Sequence, residues 1–269
     1  MRALLIGDVI GRPGRTALER FVIPLRTELA IDLVVVNCEN SAGGLGVTPL
    51  VAEEMFQAGV DVLTSGNHVW KKPEALQLLK LDHRVLRPAN YPAAAPGSGA
   101  VVIDTLGGQK VGILNIQGRV FMEPTDCPFQ AAAREVERLR KATPMIIVDI
   151  HAEATSEKVA MGWFLDGKVS CLFGTHTHIP TADERILPNG TAFLTDVGMT
   201  GPYDSVIGRK TEQILEKFLT GLPVKSEVAG GNVQLRALVV DIDPSSGKAT
   251  RIERLTRIMD GPVDGRHRD

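Results

Sequence analysis

Cysteine is scarce in this sequence and never occurs in a disulfide or metal-binding spacing. The 269 residues include three cysteines, Cys38, Cys127 and Cys171, which lie far apart and are odd in number. Because no Cys-x-x-Cys pair is present, the sequence offers neither a zinc ribbon nor a disulfide framework. The first apolar stretch is too short for a signal peptide and ends at Asp8. We therefore expect a cytoplasmic protein with reduced thiols.

Long apolar runs and an excess of one charge are absent as well. No apolar run approaches the roughly 18 residues of a membrane-spanning helix, so we expect no membrane segment. The 30 Lys and Arg residues nearly balance the 32 Asp and Glu residues, and the formal net charge is −2. This balance gives no strong signal for nucleic-acid binding, although a local phosphate site remains compatible with it. Since 43% of the residues are hydrophobic, disordered and fibrous proteins are excluded.

Three common catalytic and nucleotide-binding motifs are also missing. The first predicted strand leads into Gly7-Asp8-Val9-Ile10-Gly11 and not into Gly-x-Gly-x-x-Gly, which excludes a dinucleotide-binding dehydrogenase. The sequence contains neither a Gly-x-Ser-x-Gly elbow nor a phosphate-binding Gly-Lys-Ser/Thr loop.

Short apolar strands that alternate with amphipathic helices are what the sequence does contain. The strands are rich in Val and Ile and apolar at successive positions, as expected when both faces of a sheet are covered. Strand–helix alternation is typical of a sheet with crossover helices. The predicted strands are residues 3–7, 33–37, 60–64, 145–150 and 169–173, and the predicted helices are residues 14–30, 48–58, 71–81 and 130–142.

Two predicted hairpins indicate a second sheet. Residues 100–105 and 110–116 flank a Gly-Gly turn, and residues 232–242 and 248–258 form a similar pair near the end. We expect an α/β fold in which two sheets pack face to face with helices outside. A single domain over residues 1–269 is favoured, with a frayed polar tail from Asp260 to Asp269.

Polar side chains follow each of the five predicted strands. Ligands of open α/β sheets bind beyond the carboxyl ends of the strands, so we expect these side chains to cluster. Eight donors are too many for one ion and suit two divalent ions about 3.5–4 Å apart. Imidazole, carboxylate and amide donors without thiolate favour Fe, Mn or Zn over Mg or Ca. The eight candidates are Asp8, Glu39, Asn40, Asn67, His68, His151, His176 and His178.

Simpler interpretations exist for each residue taken alone. Asp8 would serve as a helix cap, Asn40 and Asn67 as turn residues, and a single histidine as a hydrogen-bonded core or surface residue. Asp149 would either orient His151 or bind backbone as a buried strand-edge carboxylate. Cys38 is expected in the core. Phosphate or substrate contacts and ordinary loop positions both stay open for Arg12, Arg119, Thr200, Ser205 and the Gly43-Gly44-Leu45-Gly46 loop.

The ordered blocks Gly7-Asp8, Gly66-Asn67-His68, His151 and Gly174-Thr175-His176-Thr177-His178 resemble those of the calcineurin-like metallophosphoesterases. Nearly the whole chain, including residues 151–158 (HAEATSEK) and 198–202 (GMTGP), is similar to the bacterial YmdB-type phosphodiesterases. The resemblance implies a four-layer α/β/β/α sandwich that hydrolyses small cyclic nucleotides, notably 2′,3′-cyclic AMP, by metal-activated water.

The resemblance also assigns roles to individual residues. It implies that Glu39 bridges the two metals and that His68 is the general acid. The usual Asp-x-His is replaced by Asp8-Val9-Ile10, and Glu39-Asn40 stands where the superfamily has Gly-Asp. These departures remove one imidazole from the first site, and the resemblance to the YmdB-type subgroup implies that Asn40 takes its position. The first metal would be held by Asp8, Glu39, Asn40 and His178, and the second by Glu39, Asn67, His151 and His176.

The same metal ligands are compatible with two other functions. One is a phosphomonoesterase such as a nucleotidase, and the other is a regulatory protein that binds nucleotide and turns over slowly. The expected partner is a small nucleotide phosphodiester, and a homo-oligomer is compatible with the sequence.

Overall fold

The computed structural model describes residues 1–259. Twelve strands in this part of the chain form two six-stranded sheets. The strands are β1 (Arg2–Ile6), β2 (Leu33–Asn37), β3 (Val62–Thr64), β4 (Ala100–Asp104), β5 (Lys110–Gln117), β6 (Ile146–His151), β7 (Cys171–Thr175), β8 (Arg185–Ile186), β9 (Ala192–Leu194), β10 (Gly201–Pro202), β11 (Val233–Ile242) and β12 (Ala249–Ile258).

Six helices connect or flank these strands within the described residues. Thr48 caps the second helix, since its side chain accepts a hydrogen bond from the Val51 amide, and Pro49 occupies the first turn where no amide donor is needed. The helices are α1 (Gly11–Leu29), α2 (Pro49–Gln57), α3 (Ala75–Leu81), α4 (Pro128–Arg140), α5 (Thr155–Leu165) and α6 (Thr211–Thr220).

The first sheet is parallel on one side and antiparallel on the other, whereas the second has a parallel centre and antiparallel edges. The first has the order β10-β11-β1-β2-β3, with β12 also paired to β11, and the second has the order β4-β5-β6-β7-β9-β8. Strands β1, β2 and β3 are parallel, as are β5, β6, β7 and β9. The two predicted hairpins are the antiparallel pairs β4–β5 and β11–β12.

Three apolar clusters separate the layers. Leu5 and Val35 of the first sheet meet Ile113 and Phe173 of the second sheet in the central cluster. A second cluster packs α1, α2 and α3 on the outer face of the first sheet, and a third packs α4 and α5 on the outer face of the second. This layering confirms the predicted four-layer α/β/β/α sandwich.

Differences from the predicted elements are local. The third predicted helix begins at Ala75 and not at residue 71, because Pro73 disfavours helical backbone at the preceding residue. Helices α5 and α6 and the short strands β8, β9 and β10 were not predicted. The predicted frayed tail, residues 260–269, lies outside the described residues, so the tail and the domain boundary at residue 269 stay predictions. No helix among residues 1–259 is long and apolar enough to cross a membrane.

Candidate metal centre

The carboxyl ends of parallel strands from both sheets meet at one site. The first sheet contributes Asp8 after β1, Glu39 and Asn40 after β2, and Asn67 and His68 after β3. The second sheet contributes the other three candidates. His151 ends β6, and His176 and His178 follow β7. The structure brings all eight predicted donors together, at the contact distances given below.

Three donor atoms surround one nitrogen of His151. Its Nε2 lies 3.0 Å from His176 Nδ1, 3.1 Å from Glu39 Oε1 and 3.2 Å from Asn67 Oδ1. Ligands at about 2.1 Å from a common ion are separated by roughly 3.0–3.5 Å. One ligand atom each of Glu39, His151 and His176 also lies within 4.8 Å of the others. These four side chains therefore have the spacing of ligands to one ion.

A second group of donors lies beside the first. Asp8 is fully buried and its Oδ2 accepts a hydrogen bond from the His176 amide at 3.0 Å. Among the described residues its Oδ1 has no hydrogen-bond partner, and it lies 3.8 Å from His178 Nε2. A buried carboxylate oxygen without a partner is costly, and a cation would satisfy it. Helix α1 starts at Gly11 without a side-chain cap, so Asp8 is not its cap.

His178 is oriented from its other ring nitrogen. Its Nδ1 lies 3.0 Å from the carbonyl oxygen of Ile207, which fixes the proton on Nδ1 and leaves the lone pair of Nε2 for the site. Asn40 Nδ2 is 3.2 Å from this Nε2 and 3.2 Å from Glu39 Oε1. Half a turn of the Asn40 amide would place its oxygen at this position, which is the orientation needed for ligation.

Glu39 contacts members of both donor groups. Its Oε1 faces His151 and Asn40, as described above, and its Oε2 accepts a hydrogen bond from the His68 amide at 3.0 Å. The His68 ring stands at the edge of the cluster, with Nδ1 2.8 Å from Asn40 Oδ1 and 3.2 Å from Glu39 Oε1. The His68 side chain is 27% exposed, whereas that of Glu39 is fully buried. His68 therefore borders the cleft while Glu39 lies beneath it.

The charges of the site are strongly interdependent. Burial opposes ionisation of Glu39, but His151 and His68 hold the pKa of its carboxyl well below the usual value. Burial lowers the pKa of His151, yet Glu39, Asp8 and Asp149 together raise it to about 9. Burial and the neighbouring His151 lower the pKa of His176 to about 3, so this ring is neutral. The negative surroundings that favour a proton on His151 would equally favour a metal ion.

Close approach explains the glycine in the Gly66-Asn67-His68 block. A Cβ atom at Gly66 would lie 2.1 Å from His151 Cδ2 and 2.4 Å from Glu39 Oε2.

His176 and His178 both have a left-handed backbone conformation, with φ of 93° and 67°. Such a conformation costs a non-glycine residue of the order of 1–3 kcal/mol and is typical of functional sites.

Asp149 lies beneath the site and joins the two sheets. It accepts hydrogen bonds from Thr64 Oγ1 at 2.5 Å, Asn37 Nδ2 at 3.0 Å and Thr175 Oγ1 at 2.7 Å. Thr175 Oγ1 in turn lies 2.9 Å from His151 Nδ1. Asp149 therefore supports His151 through Thr175, and its partners are side chains rather than the backbone.

The hydroxyls of Thr200 and Ser205, the Arg119 amide and the Gly43-Gly44-Leu45-Gly46 loop make contacts outside the cluster of donor side chains. Thr200 Oγ1 contacts the backbone of Arg236, and Ser205 Oγ donates to the Pro202 carbonyl at 2.5 Å, so both hydroxyls stabilise loops. The Arg119 amide donates to the buried carboxylate of Glu157. The Gly43-Gly44-Leu45-Gly46 loop adjoins Arg209, which donates to the Gly44 carbonyl. Cys38 is fully buried in the apolar cluster between the first sheet and helices α1, α2 and α3, as predicted.

Two charged residues near the site had no role in the sequence analysis. Lys158 and Asp196 form a buried ion pair behind the turn that carries His176 and His178. Lys158 belongs to the block at residues 151–158 that carries the family resemblance, and this was the available signal. A cleft of about 250 Å³ opens above the site and is lined by Glu39, His68, Glu153 and the two histidines of the turn.

Known proteins resemble this chain over nearly its full length. The family model described as YmdB-like protein matches residues 4–255. A Bacillus subtilis protein named 2′,3′-cyclic-nucleotide 2′-phosphodiesterase is 45% identical over 255 residues, which is 95% of this chain and 96% of that protein.

Two solved structures share the fold. A hypothetical protein from Thermus thermophilus has a TM-score of 0.91 and 39% identity, covering 97% of this chain and all of that one. A structure described as a novel phosphatase from Mycoplasma pneumoniae has a TM-score of 0.90 and 34% identity, covering 99% of this chain and 95% of that one.

Proposed function

The chain belongs to the YmdB-like protein family, and from its site we propose a metal-dependent phosphodiesterase that hydrolyses small cyclic nucleotides such as 2′,3′-cyclic AMP. The observation that carries the proposal is the position of Glu39, whose carboxylate touches members of two adjacent donor groups. The name of the Bacillus relative supports a cyclic nucleotide as substrate. The net charge of −2 agrees with a small substrate, since long RNA favours a basic surface.

Two metal ions fit the donor set. Glu39 would bridge them, because a carboxylate has two oxygens whereas each imidazole offers one lone pair. Asp8, Asn40 and His178 would complete the first site, and Asn67, His151 and His176 the second. When bound, such a pair polarises the phosphoryl group, lowers the pKa of a water molecule and stabilises the leaving oxygen.

We propose iron as the bound metal, with manganese or zinc as alternatives that the same donor chemistry accommodates. The set combines imidazoles, carboxylates and amide oxygens without a thiolate. Burial raises the pKa of the Cys38 thiol, which keeps this nearby sulfur protonated and unsuited to metal binding.

His68 is assigned as the general acid. It follows Asn67 directly, and the two side chains diverge: Asn67 Oδ1 faces His151, whereas the His68 ring stands at the cleft. Glu39 Oε1 lies 3.2 Å from Nδ1 whichever way the Asn40 amide is turned, so the opposite nitrogen, Nε2, is the one that would donate a proton to the departing sugar oxygen. A sugar alkoxide leaves poorly until it is protonated, and histidine is suited to that transfer near neutral pH.

Metal analysis combined with a substrate comparison tests the proposal. Protein purified without chelator or affinity metal should contain two equivalents of metal, measured by elemental analysis. The same preparation should hydrolyse 2′,3′-cyclic nucleotides with a higher kcat/KM than phosphomonoesters. A maximum of one equivalent would contradict the dinuclear site, and a strong preference for phosphomonoesters would identify a nucleotidase. Two bound metals with negligible turnover of every substrate would favour the regulatory role.

A further inference from the structure

The turn after β7 carries two of the proposed metal ligands on a strained backbone. Within three residues it supplies His176 and His178, which face different donor groups of the site. Both have left-handed backbone, with φ of 93° and 67°. Since neither residue is glycine, the turn does not relax into this shape by local preference. Contacts from elsewhere in the chain must hold it.

Lys158 provides one such contact from α5. Its side chain is 1% exposed, and its ammonium donates to the Thr175 carbonyl at 2.6 Å and to Asp196 Oδ2 at 2.6 Å. Close packing accompanies these bonds, because a Cβ atom at Gly174 would lie 3.0 Å from Lys158 Cδ. The ammonium therefore binds the backbone immediately before His176.

Asp196 extends the contact to the middle of the turn. Its Oδ2 accepts hydrogen bonds from Thr177 Oγ1 at 2.7 Å and from the Thr177 amide at 3.3 Å. Its Oδ1 accepts from the Gly198 amide at 2.8 Å. Asp196 is 1% exposed. Lys158 and Asp196 thus bind the residues on both sides of His176 while touching neither imidazole.

A buried ion pair contributes little net stability to a fold. Desolvation of both charges offsets much of their attraction, and well-packed apolar replacements are often neutral or stabilising. Stability alone therefore gives no reason for this pair. Directional hydrogen bonds to a strained turn do give one, since metal ligands depend on outer contacts for their orientation.

We propose that the Lys158–Asp196 pair is a positioning device that holds the turn of residues 175–178 in the shape required for metal binding. This inference rests on the proposed roles of His176 and His178 as ligands of different metals. Loss of the pair should consequently weaken both metal sites together.

The test uses the double variant Lys158→Met/Asp196→Asn, which removes the pair without leaving an unpaired buried charge. Stepwise binding of Mn²⁺ to metal-free protein is measured by calorimetry, and folding by urea denaturation. We expect both Mn²⁺ affinities to fall about 10- to 100-fold while the urea midpoint of the metal-free protein stays near that of the wild type. The matched control is Arg2→Met/Asp241→Asn, an ion pair at the opposite end of β1, which should leave both affinities unchanged.

If the double variant folds and binds Mn²⁺ with wild-type affinities, the positioning role is overturned. Should the double variant fail to fold, Thr177→Val keeps the ion pair intact and removes the hydroxyl that donates to Asp196, and wild-type affinities in that variant would overturn the role equally. A wild-type protein that binds fewer than two Mn²⁺ ions would instead overturn the proposed dinuclear site, and this inference with it.

Discussion

The two sheets contribute different chemistry to the same site. Strand ends of the first sheet supply two carboxylates and two amides among the proposed ligands, whereas strand ends of the second sheet supply three imidazoles. Asp8 and Glu39 are fully buried, while the His176 side chain is 19% exposed and that of His178 is 11% exposed. The first sheet thus provides buried negative charge, and the second provides imidazoles, of which those of His176 and His178 line the cleft.

This division shows where the site holds its negative charge. The carboxylates of Asp8 and Glu39 lie beneath the cleft and contribute to the raised pKa of His151, and Glu153 adds an exposed carboxylate at the cleft, 3.1 Å from His176 Nε2. A metal that replaces that proton would be bound by both sheets at once. Substitutions of first-sheet and second-sheet ligands should therefore differ in their effects on metal content and turnover, and the following predictions test that difference.

Glu39→Ala is expected to have the largest effect, because it removes the carboxylate assigned as the bridge between the two metals. Both metals should be lost, which elemental analysis measures directly. Losing two ions that each provide several kcal/mol of transition-state stabilisation should lower turnover about 10⁴-fold or more. His178→Ala is the matched variant from the second sheet and should mainly empty the first site. Full occupancy of either site in Glu39→Ala would refute the bridging assignment.

His68→Ala should have a smaller and chemically selective effect. Both metals should remain, and hydrolysis of a 2′,3′-cyclic nucleotide should fall about 10²- to 10⁴-fold, as is typical for loss of a positioned acid. The penalty should shrink for a nitrophenyl diester, whose leaving group departs without a proton. Kinetics on both substrates with parallel metal analysis provide the measurement. Equal losses on the two substrates would show that His68 anchors phosphate, and loss of a metal would show that it is a ligand.

Asp149→Asn should have the smallest effect of the three, since Asp149 joins the sheets without facing the cleft. The variant places an amide donor among three existing donors, so the free energy of unfolding of metal-free protein should fall by about 1–3 kcal/mol. Urea denaturation measures this difference.

The loss of unfolding free energy in Asp149→Asn should depend on pH. Burial raises the pKa of Asp149 from its usual value of 3.8 to about 6. Between these two values the carboxyl is protonated in the folded protein but ionised in the unfolded chain. Wild-type stability from this group is therefore greater at pH 5 than at pH 8. The deficit of Asp149→Asn should be larger at pH 5, and a larger deficit at pH 8 would contradict the shifted pKa.

Sequence patterns predicted the fold and the location of the site because both depend on local signals. Apolar strands covered on both faces are visible in the order of residues, and Asp8, Glu39 and His151 each follow or end such a strand. Parallel strands then place their carboxyl ends together, whatever the details of packing.

Long-range pairs were beyond these signals. Lys158 and Asp196 are separated by 38 residues, and neither has a local pattern that indicates the other. Asp149 has the same difficulty, because its three donors come from strands β2, β3 and β7. Helix α6 differs, because its sequence does carry a local signal. Its apolar residues Ile214, Leu215, Phe218 and Leu219 recur at helical spacing, although none of its residues is buried.

The left-handed turn at His176 and His178 also bears on how this protein can change. Glycine would adopt those backbone angles without strain, yet it would supply no imidazole. The turn is therefore a place where stability is sacrificed to activity, and selection for stability alone would remove both histidines. Thermostable variants of this enzyme should accordingly be sought in the outer helices, where substitutions leave the turn unchanged.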